Sequence, residues 1–317
     1  MPELDTFELR RAGADDKAVS KTEREIARRY RAVYDELEAQ LSKLYASMGD
    51  NPSIVEAKRY GRLAAVQKAV IAEYNKVTRD AAKLTQSQIA SSYAESYYGN
   101  AWAFDQATGV ELKWPEISAE AIRQTVWSSE TGENFAERLK GWGSAAVPKI
   151  SRVITSGIAS GSGYAKTAKK LREQVNATAY EAMRIVRTES TRAYNQGHLA
   201  TYDAAEELGV KARRRWVATL DGDTRDTHAA LDGQYADENG LFHIHGYSTE
   251  GPGLFGDPAE DINCRCRVVE DVEGFSPQLR RIRGEGLQPY TTYEKWAKEK
   301  GWTPENGWPA EAKAKKY

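Results

Sequence analysis

The sequence predicts an α+β protein that is predominantly helical, with a long N-terminal antiparallel helical hairpin followed by a compact α+β module that contains a small sheet. Two observations carry this prediction. Apolar residues recur every three or four positions through most of the first 208 residues, which is the period of amphipathic helices. From Ala212 onward, short extended runs alternate with stretches rich in Gly, Asp and Pro, which is typical of strands and turns.

Composition excludes several classes of protein. The 317 residues are 40% hydrophobic and 29% charged with a formal net charge of −1, so no global field attracts nucleic acid or an anionic membrane. The cysteines, Cys264 and Cys266, are too close in sequence for an unstrained disulfide, which argues against a secreted disulfide framework. The N-terminus lacks the apolar stretch of a signal peptide, and no apolar run is long enough to predict a membrane segment. We therefore expect the protein in the cytoplasm of the cell that makes it.

The first 110 residues divide into an arm and a hairpin. Residues 1–20 are charged and aperiodic, and we expect a flexible arm. Residues 21–110 predict the helical hairpin, because an apolar stripe from Ile26 to Met48 is followed by turn residues at 49–52 and by a second helical pattern over about 53–105. The short connection implies that the two helices are antiparallel.

Residues 111–274 predict the α+β domain, with its motif-rich core over 184–270. Its helices are expected at about 118–127, 134–141, 148–158, 164–175 and 177–208, with Asn176 as the N-cap and Gly209 as the terminator of the last one. Strands are expected over 213–219 and 265–269, a short helix over 224–231, and mostly loop over 234–262. Residues 275–317 predict a C-terminal arm, in which Trp296, Trp302 and Trp308 either contact a partner or cover the body of the protein.

Polar residues crowd two turns of the helix predicted over 177–208. Glu189 and Arg192 lie three residues apart and share a face, and Arg187 and Asn195 stand close by in sequence. The pattern fits a hydrogen-bonded helix that packs on the β module, since structural ion pairs look like this. A catalytic Glu–Arg pair is the alternative.

A histidine and the two cysteines are candidate metal ligands. Cys264 and Cys266 would point to the same side of a strand, so His228 with the two thiolates would suit Zn²⁺. A second combination joins the two thiolates to His243 and His245. Without a metal, the thiols would act as small buried hydrophobes and His228 as a buried hydrogen-bonding residue or a general base.

A basic face is predicted on the helix over 164–175. It consists of Lys166, Lys169, Lys170 and Arg172. Such a face is a candidate for phosphate contacts to DNA, together with residues 213–215, and otherwise it is a solvated helix surface.

Taken in order, these residues resemble the phage Mu F-type head-morphogenesis family, the minor capsid proteins of tailed phages. The resemblance covers about 150–270. Its positions are residues 187–189, residues 193–195, Trp216, Asp221, Thr224, Arg225, His228, Leu231, Asp232, Gly233, residues 256–258 and residues 263–266, and Arg192 is counted with this structural motif. It implies a non-catalytic, portal- or procapsid-associated head protein that assists head morphogenesis or genome delivery and requires no cofactor. Its partners would be the portal, major capsid or scaffold protein, and its location the host cytoplasm during assembly and then the virion.

Two other functions compete with this one. An ADP-ribosyltransferase-like module, active or degenerate, would need Arg187, Glu189 and a late acidic residue such as Glu270 or Glu273 to converge on one NAD pocket. The sequence lacks a clear Glu-x-Glu pair for that role. A DNA-binding internal head protein would instead use the basic face.

Overall fold

The computed structural model describes residues 2–48, 61–118, 122, 135–272, 279–282 and 285–292, with 295, 298 and 299. The long helices come first: α1 (Pro2–Ala46), α2 (Arg62–Thr108), α3 (Phe135–Ala159) and α4 (Tyr164–Glu207). The shorter elements are β1 (Ala212–Val217), α5 (Asp226–Leu231), β2 (Phe242–Ile244), β3 (Tyr247–Thr249), α6 (Pro258–Asp261), β4 (Arg267–Val272), β5 (Leu279–Ile282) and β6 (Gly286–Pro289). The predicted fold class, predominantly helical α+β, is confirmed.

The chain forms two compact units. The helical unit comprises residues 19–88 and 127–187, and the motif unit comprises 1–18, 89–126 and 188–317. Helices α1, α2 and α4 each contribute residues to both units. Apart from Arg187, every residue of the predicted motif falls in the motif unit.

In the helical unit, α1 and α2 are antiparallel. The Thr22 hydroxyl donates to Gln88 Oε1 at 2.9 Å, and Arg29 Nη1 lies 2.7 Å from Asp80 Oδ2. Residues with higher numbers in α1 thus contact residues with lower numbers in α2, as expected for an antiparallel pair. The predicted turn at 49–52 and the predicted start of the second helix near 53 lie outside the described residues.

The core of the helical unit is built from apolar stripes on its helices. The stripes include Ile26, Leu37 and Leu41 from α1, Val70 and Tyr74 from α2, Ile150 and Ile154 from α3, and Leu171, Val175 and Val186 from α4. Two helices approach closely where Gly143 meets Thr78, because a Cβ on that glycine would lie 2.3 Å from the Thr78 hydroxyl. A helical spacing of buried residues on every member explains why periodicity predicted these elements.

Residues 135–159 form one helix, whereas the sequence predicted two, over 134–141 and 148–158. Pro148 lies inside α3. A proline inside a helix costs a hydrogen bond and about 3 kcal/mol. Ala146 and Ile150 are nevertheless both buried on either side of it, so packing of the apolar face holds the helix together through the proline.

Residues 164–207 also form one helix, α4, where the sequence predicted a break at Asn176. Asn176 is exposed in the middle of α4 and caps nothing. The buried residues Leu171, Val175 and Ala179 keep a four-residue spacing past it, and that spacing is the stronger signal. Gly209, with φ of +85°, ends α4 as predicted, and Val210 N donates back to Ala205 O at 2.9 Å.

The predicted flexible arm over 1–20 is helical instead, as the first part of α1. In the motif unit, Asp15 is buried, accepts a hydrogen bond from the Ser92 hydroxyl at 2.5 Å and lies 3.1 Å from Arg267 Nη2. The Arg267 guanidinium also lies 4.0 Å above the Tyr194 ring. Charged residues make these contacts, so hydrophobic periodicity could not identify the segment.

The sheet of the motif unit pairs β1 with β4 in antiparallel register, with Trp216 opposite Val268. The sequence predicted both strands, although it placed the second one slightly early. The predicted loop over 234–262 contains the β2–β3 hairpin and α6. The predicted C-terminal arm contains the antiparallel β5–β6 hairpin, in which Ile282 is buried. Trp296, Trp302 and Trp308 lie outside the described residues.

Asn195 joins α4 to the β module. Its Nδ2 donates to the carbonyl oxygens of Thr191, Pro252 and Cys266 at 3.1, 3.1 and 3.2 Å, and its Oδ1 accepts from Val268 N at 3.2 Å. One fully buried amide thus fixes the backbone at the start of β4.

None of the helices in the described part of the chain combines the length and the apolarity that crossing a bilayer requires.

Replacing Asn195 by Asp should lower the free energy of unfolding by about 2–3 kcal/mol, because the carboxylate cannot donate to the buried carbonyls and adds charge beside them. Urea unfolding followed by circular dichroism measures the change. Asn176→Asp, the same chemical change at an exposed position of the same helix, should stay within about 0.5 kcal/mol. Equal effects of the two variants would contradict the assigned role of Asn195.

Replacing Arg267 by Met should cost about 3 kcal/mol at neutral pH, because it leaves the buried Asp15 carboxylate without its cation. Burial raises the pKa of Asp15, and Arg267 and the Ser92 hydroxyl oppose that rise. Without Arg267 the folded-state pKa of Asp15 rises further, so the penalty is present above that pKa and is lost as the pH falls through it.

Urea unfolding of wild type and Arg267→Met at about pH 7 and about pH 5 measures this dependence. The double variant Asp15→Asn with Arg267→Met is the control, and its destabilisation should change less between the two pH values. A penalty in the single variant that is independent of pH would show that Arg267 acts through packing alone.

Candidate functional site

The motif unit has a small aromatic core around Trp216. The Trp216 side chain is fully buried and packs edge-on against Phe242, Phe255 and the His228 ring, with ring centroids 5.4, 5.9 and 5.5 Å apart. Phe255 stacks on the other side of His228 at 5.5 Å with an interplanar angle of 16°. The His228 ring is therefore fixed in position by aromatic neighbours.

The structure brings His228, Cys264 and Cys266 together. The Cys264 and Cys266 Sγ atoms lie 3.5 and 3.4 Å from the same nitrogen, His228 Nδ1. All three residues are buried, and their potential ligand atoms lie within 4.8 Å of one another. Helix α5 carries the histidine, and the segment that leads into β4 carries both cysteines on one side.

A carboxylate lies on the other side of the imidazole. Glu260 Oε2, from α6, lies 3.1 Å from His228 Nε2 and accepts a hydrogen bond from the Thr227 hydroxyl at 2.8 Å. A carboxylate here favours a proton on Nε2 and leaves Nδ1 as the nitrogen that faces the sulfurs.

The two thiols have unequal acidities. Their mutual hydrogen bond, together with burial, raises the pKa of Cys264. The same hydrogen bond lowers the pKa of Cys266 against the effect of burial, and His228 lowers that pKa further. Cys266 therefore ionises first, with the Cys264 thiol as its hydrogen-bond donor.

A cavity of about 10 Å³ opens beside this cluster, which is room for about one water molecule or ion. The residues that line it are Thr219, Asp223, Thr224, Arg225, His228, Asn263, Cys264, Arg265 and Cys266. The cluster is thus buried on its aromatic side and borders a small polar space on the other.

The turn between β1 and α5 is held by an ion pair. Arg265 binds the Asp221 carboxylate through both terminal nitrogens, with Nη2 3.0 Å from Oδ1. Asp221 Oδ1 also accepts from Asp223 N at 3.0 Å. Arg265 lies between the two cysteines, so the pair also fixes the segment that carries them.

Three more motif residues support the backbone around α5. Arg225 donates from Nη2 to the Ile262 carbonyl oxygen, which joins α5 to the cysteine segment. Asp232 Oδ1 accepts from Ala218 N at 2.8 Å. Gly233, with φ of +82°, donates to Trp216 O at 2.9 Å. A positive φ here strains any residue with a side chain, which accounts for the glycine.

The charged motif residues of α4 do not converge on one site. In the helical unit, Arg187 Nε donates to Glu23 Oε1 at 2.9 Å. In the motif unit, Glu189 is buried and its Oε2 lies 3.8 Å from Arg192 Nη1. Residues two apart on a helix point in different directions, so Arg187 and Glu189 do not share a face.

The cysteine segment is also attached to α4 by Thr188, whose hydroxyl accepts from Asn263 N at 3.0 Å. Asn263 itself has a φ of +60°. Thr188 and Asn195 therefore hold the residues on either side of the Cys264–Cys266 pair.

The second predicted ligand set, His243 and His245 with the thiolates, does not assemble in the structure. His243, on β2, lies 2.9 Å from both Asp237 Oδ2 and Ser248 Oγ, and His245 occupies the turn of the β2–β3 hairpin with a φ of +47°. Of the described residues, those grouped closely enough to share a metal are His228 and the two cysteines.

The predicted basic face on α4 has three exposed lysines at helical spacing, Lys166, Lys169 and Lys170. Arg172, its fourth member, is also exposed; it lies over the Tyr34 ring at 5.0 Å and donates to the Tyr34 hydroxyl at 3.2 Å. All four residues of the predicted face are therefore on the surface.

Sequence reasoning missed a second buried polar cluster, around His198. Its Nδ1 lies 2.6 Å from Asn100 Nδ2, and its Nε2 lies 2.7 Å from Glu270 Oε2. The one available signal was the position of His198 three residues after Asn195, on the same face of α4. Glu270, proposed as an acidic residue for NAD, is buried in this cluster, and Glu273 lies outside the described residues.

Comparison with known proteins finds relatives of two kinds. The NAD(+)–arginine ADP-ribosyltransferase EFV of Enterococcus faecalis is 29% identical over 277 residues, which cover 87% of this chain and 57% of that protein. The minor head protein GP7 of Bacillus phage SPP1 is 25% identical over 297 residues, which cover 90% of this chain and 94% of that protein. The chain thus spans little more than half the length of the first relative.

No solved structure matches the chain. Residues 148–269 match the model of the family described as Phage Mu protein F like protein. This segment contains the His228 cluster, β1, the first half of β4 and all the residues on which the resemblance was based. The resemblance to this family is therefore confirmed over residues 148–269.

Proposed function

We propose that the chain is a minor head protein of a tailed phage, which associates with the portal or another procapsid component and assists head morphogenesis or genome delivery without catalysis. The observation that carries this proposal is the match to GP7 of phage SPP1, which extends over nearly the whole of both proteins. During assembly the protein would be in the host cytoplasm, and afterwards in the virion.

The surface of the helices is suited to partner binding. In the motif unit, Tyr98 and Trp102 lie four residues apart on α2 and are 47% and 43% exposed. In the helical unit, Tyr180 on α4 is 54% exposed and Ile71 on α2 is 47% exposed. Large exposed aromatic and aliphatic side chains on long helices are typical of interaction surfaces.

The charged motif residues support a structural role. Glu189 and Glu270 are both buried against basic partners, and Arg187 is bound to Glu23. A catalytic carboxylate must reach the substrate, which neither of these buried side chains does in the described structure.

The transferase relative favours one alternative function, an enzyme that acts on NAD. Its name describes a protein of which more than two fifths lies outside the match, so the activity need not belong to the shared part. The two matches cover 87% and 90% of this chain, so most of the part that it shares with the transferase it also shares with the minor head protein GP7.

We expect the tagged chain to retain portal or major capsid protein in stoichiometric amounts when it is co-expressed with both. The retained proteins would be identified and quantified after affinity purification. Asn176→Asp, which changes an exposed position, should retain the same partner. Asn195→Asp should retain less, because it destabilises the motif unit. The proposal would be overturned if the folded wild-type chain retained neither the portal nor the major capsid protein.

We further expect the purified chain to leave NAD intact, because Glu189 and Glu270 are buried and paired. NAD consumption and transfer of labelled ADP-ribose to arginine substrates would be measured for the wild type and Glu189→Ala. Turnover by the wild type that is lost in Glu189→Ala would replace the structural proposal by the enzymatic one. Thermal unfolding of the variant must show that it is folded.

A further inference from the structure

We propose that His228 Nδ1 and the Sγ atoms of Cys264 and Cys266 bind one zinc ion. The ion would join α5 to the segment that leads into β4. This inference does not depend on the proposed role in the phage head.

The spacing of the three atoms is that of a zinc site. With Zn–S of about 2.3 Å and Zn–N of about 2.0–2.1 Å, tetrahedral angles place each sulfur about 3.5–3.6 Å from the nitrogen. The observed distances from Cys264 and Cys266 to His228 Nδ1 are 3.5 and 3.4 Å. Both nitrogen–sulfur distances therefore fit a bound zinc ion.

A hydrogen-bonded chain from the Cys264 thiol to Cys266 and from Cys266 to His228 Nδ1 requires only one sulfur close to the nitrogen. An unprotonated imidazole nitrogen has one lone pair and accepts one thiol proton. Two sulfurs nevertheless approach His228 Nδ1 almost equally closely. A cation that binds the nitrogen lone pair and both thiolates satisfies all three groups.

The surroundings of His228 are those of a metal ligand. Glu260 lies 3.1 Å from Nε2 on the far side of the ring, where it would hold the Nε2 proton and orient Nδ1 toward the ion. Thr227 in turn donates to the same Glu260 oxygen. The Phe255 ring, stacked on the imidazole, prevents rotation of the ligand.

The cavity beside the cluster would provide space for the fourth ligand of the zinc ion. Its volume of about 10 Å³ has room for about one water molecule, and it borders all three ligands. Zinc sites with three protein ligands take water as the fourth. The exposed Asp223 also lines this cavity. The variant Asp223→Asn tests whether the fourth ligand of the zinc ion is the Asp223 carboxylate or a water molecule.

The test is the zinc content of the full chain, purified with a tag that contains no histidine and desalted after reconstitution with zinc under reducing conditions. We expect about one zinc per chain by mass spectrometry. Cys264→Ser and Cys266→Ser should each lower it at least about tenfold. His243→Gln, which removes an exposed histidine, is the matched control and should leave zinc content unchanged.

Two further measurements test the proposal if the cysteine variants fail to fold. Cobalt added to the wild-type chain should give the visible absorption of a tetrahedral thiolate site. Glu260→Gln keeps all three ligands and should weaken zinc binding about 10–100-fold in a chelator competition. An unchanged affinity would overturn the orienting role of Glu260.

The proposal fails if the reconstituted wild-type chain holds no zinc and cobalt gives no thiolate absorption. The two cysteines would then be buried thiols in a hydrogen-bonded chain that ends at His228 Nδ1. Zinc content is measured in the absence of portal and capsid proteins, so this failure is distinct from a failure of the portal association.

Discussion

The buried polar face of α4 is the constraint on which the motif unit depends. A buried polar group costs free energy unless it is hydrogen-bonded, and from Thr188 to Thr201 this helix buries one after another. Asn195 meets this requirement on the β side, with bonds to three carbonyl oxygens and one N–H. Thr201 meets it on the other side by donating to Tyr97 O of α2 at 3.0 Å. The helix is therefore joined to both neighbours by directional bonds as well as by packing.

These bonds also determine where the cysteines lie. Asn195 binds the carbonyl oxygen of Cys266, and Thr188 binds the N–H of Asn263, so α4 fixes the backbone before and after Cys264. Arg225 binds the Ile262 carbonyl oxygen from the side of α5. Several of the residues on which the resemblance rests thus position the short segment that faces His228.

The sequence was sufficient for features that rest on local patterns. Apolar periodicity located the long helices, and the extended segment predicted that Cys264 and Cys266 would face one place, with His228 as one of two candidate partners. Prediction from the sequence failed where tertiary packing overrides the local conformational preference, as at Pro148. It also failed where polar side chains far apart in sequence form the contact. Asp15 and Arg267 are 252 positions apart, and no periodicity connects them.

The buried carboxylates and the cavity beside His228 differ in the roles that their surroundings permit. A carboxylate that is buried and paired, such as Glu189 or Glu270, stabilises the fold through its partner, and using it in a reaction would require breaking that pair. The cavity beside His228 differs, because there polar groups border open space and one coordination position would remain available. A zinc ion at that place would link α5 to the start of β4, the two elements that Asn195, Thr188 and Arg225 already hold from other directions. The ion would then stabilise the Mu F-like segment, while the exposed faces of the long helices stay available for partners in the phage head.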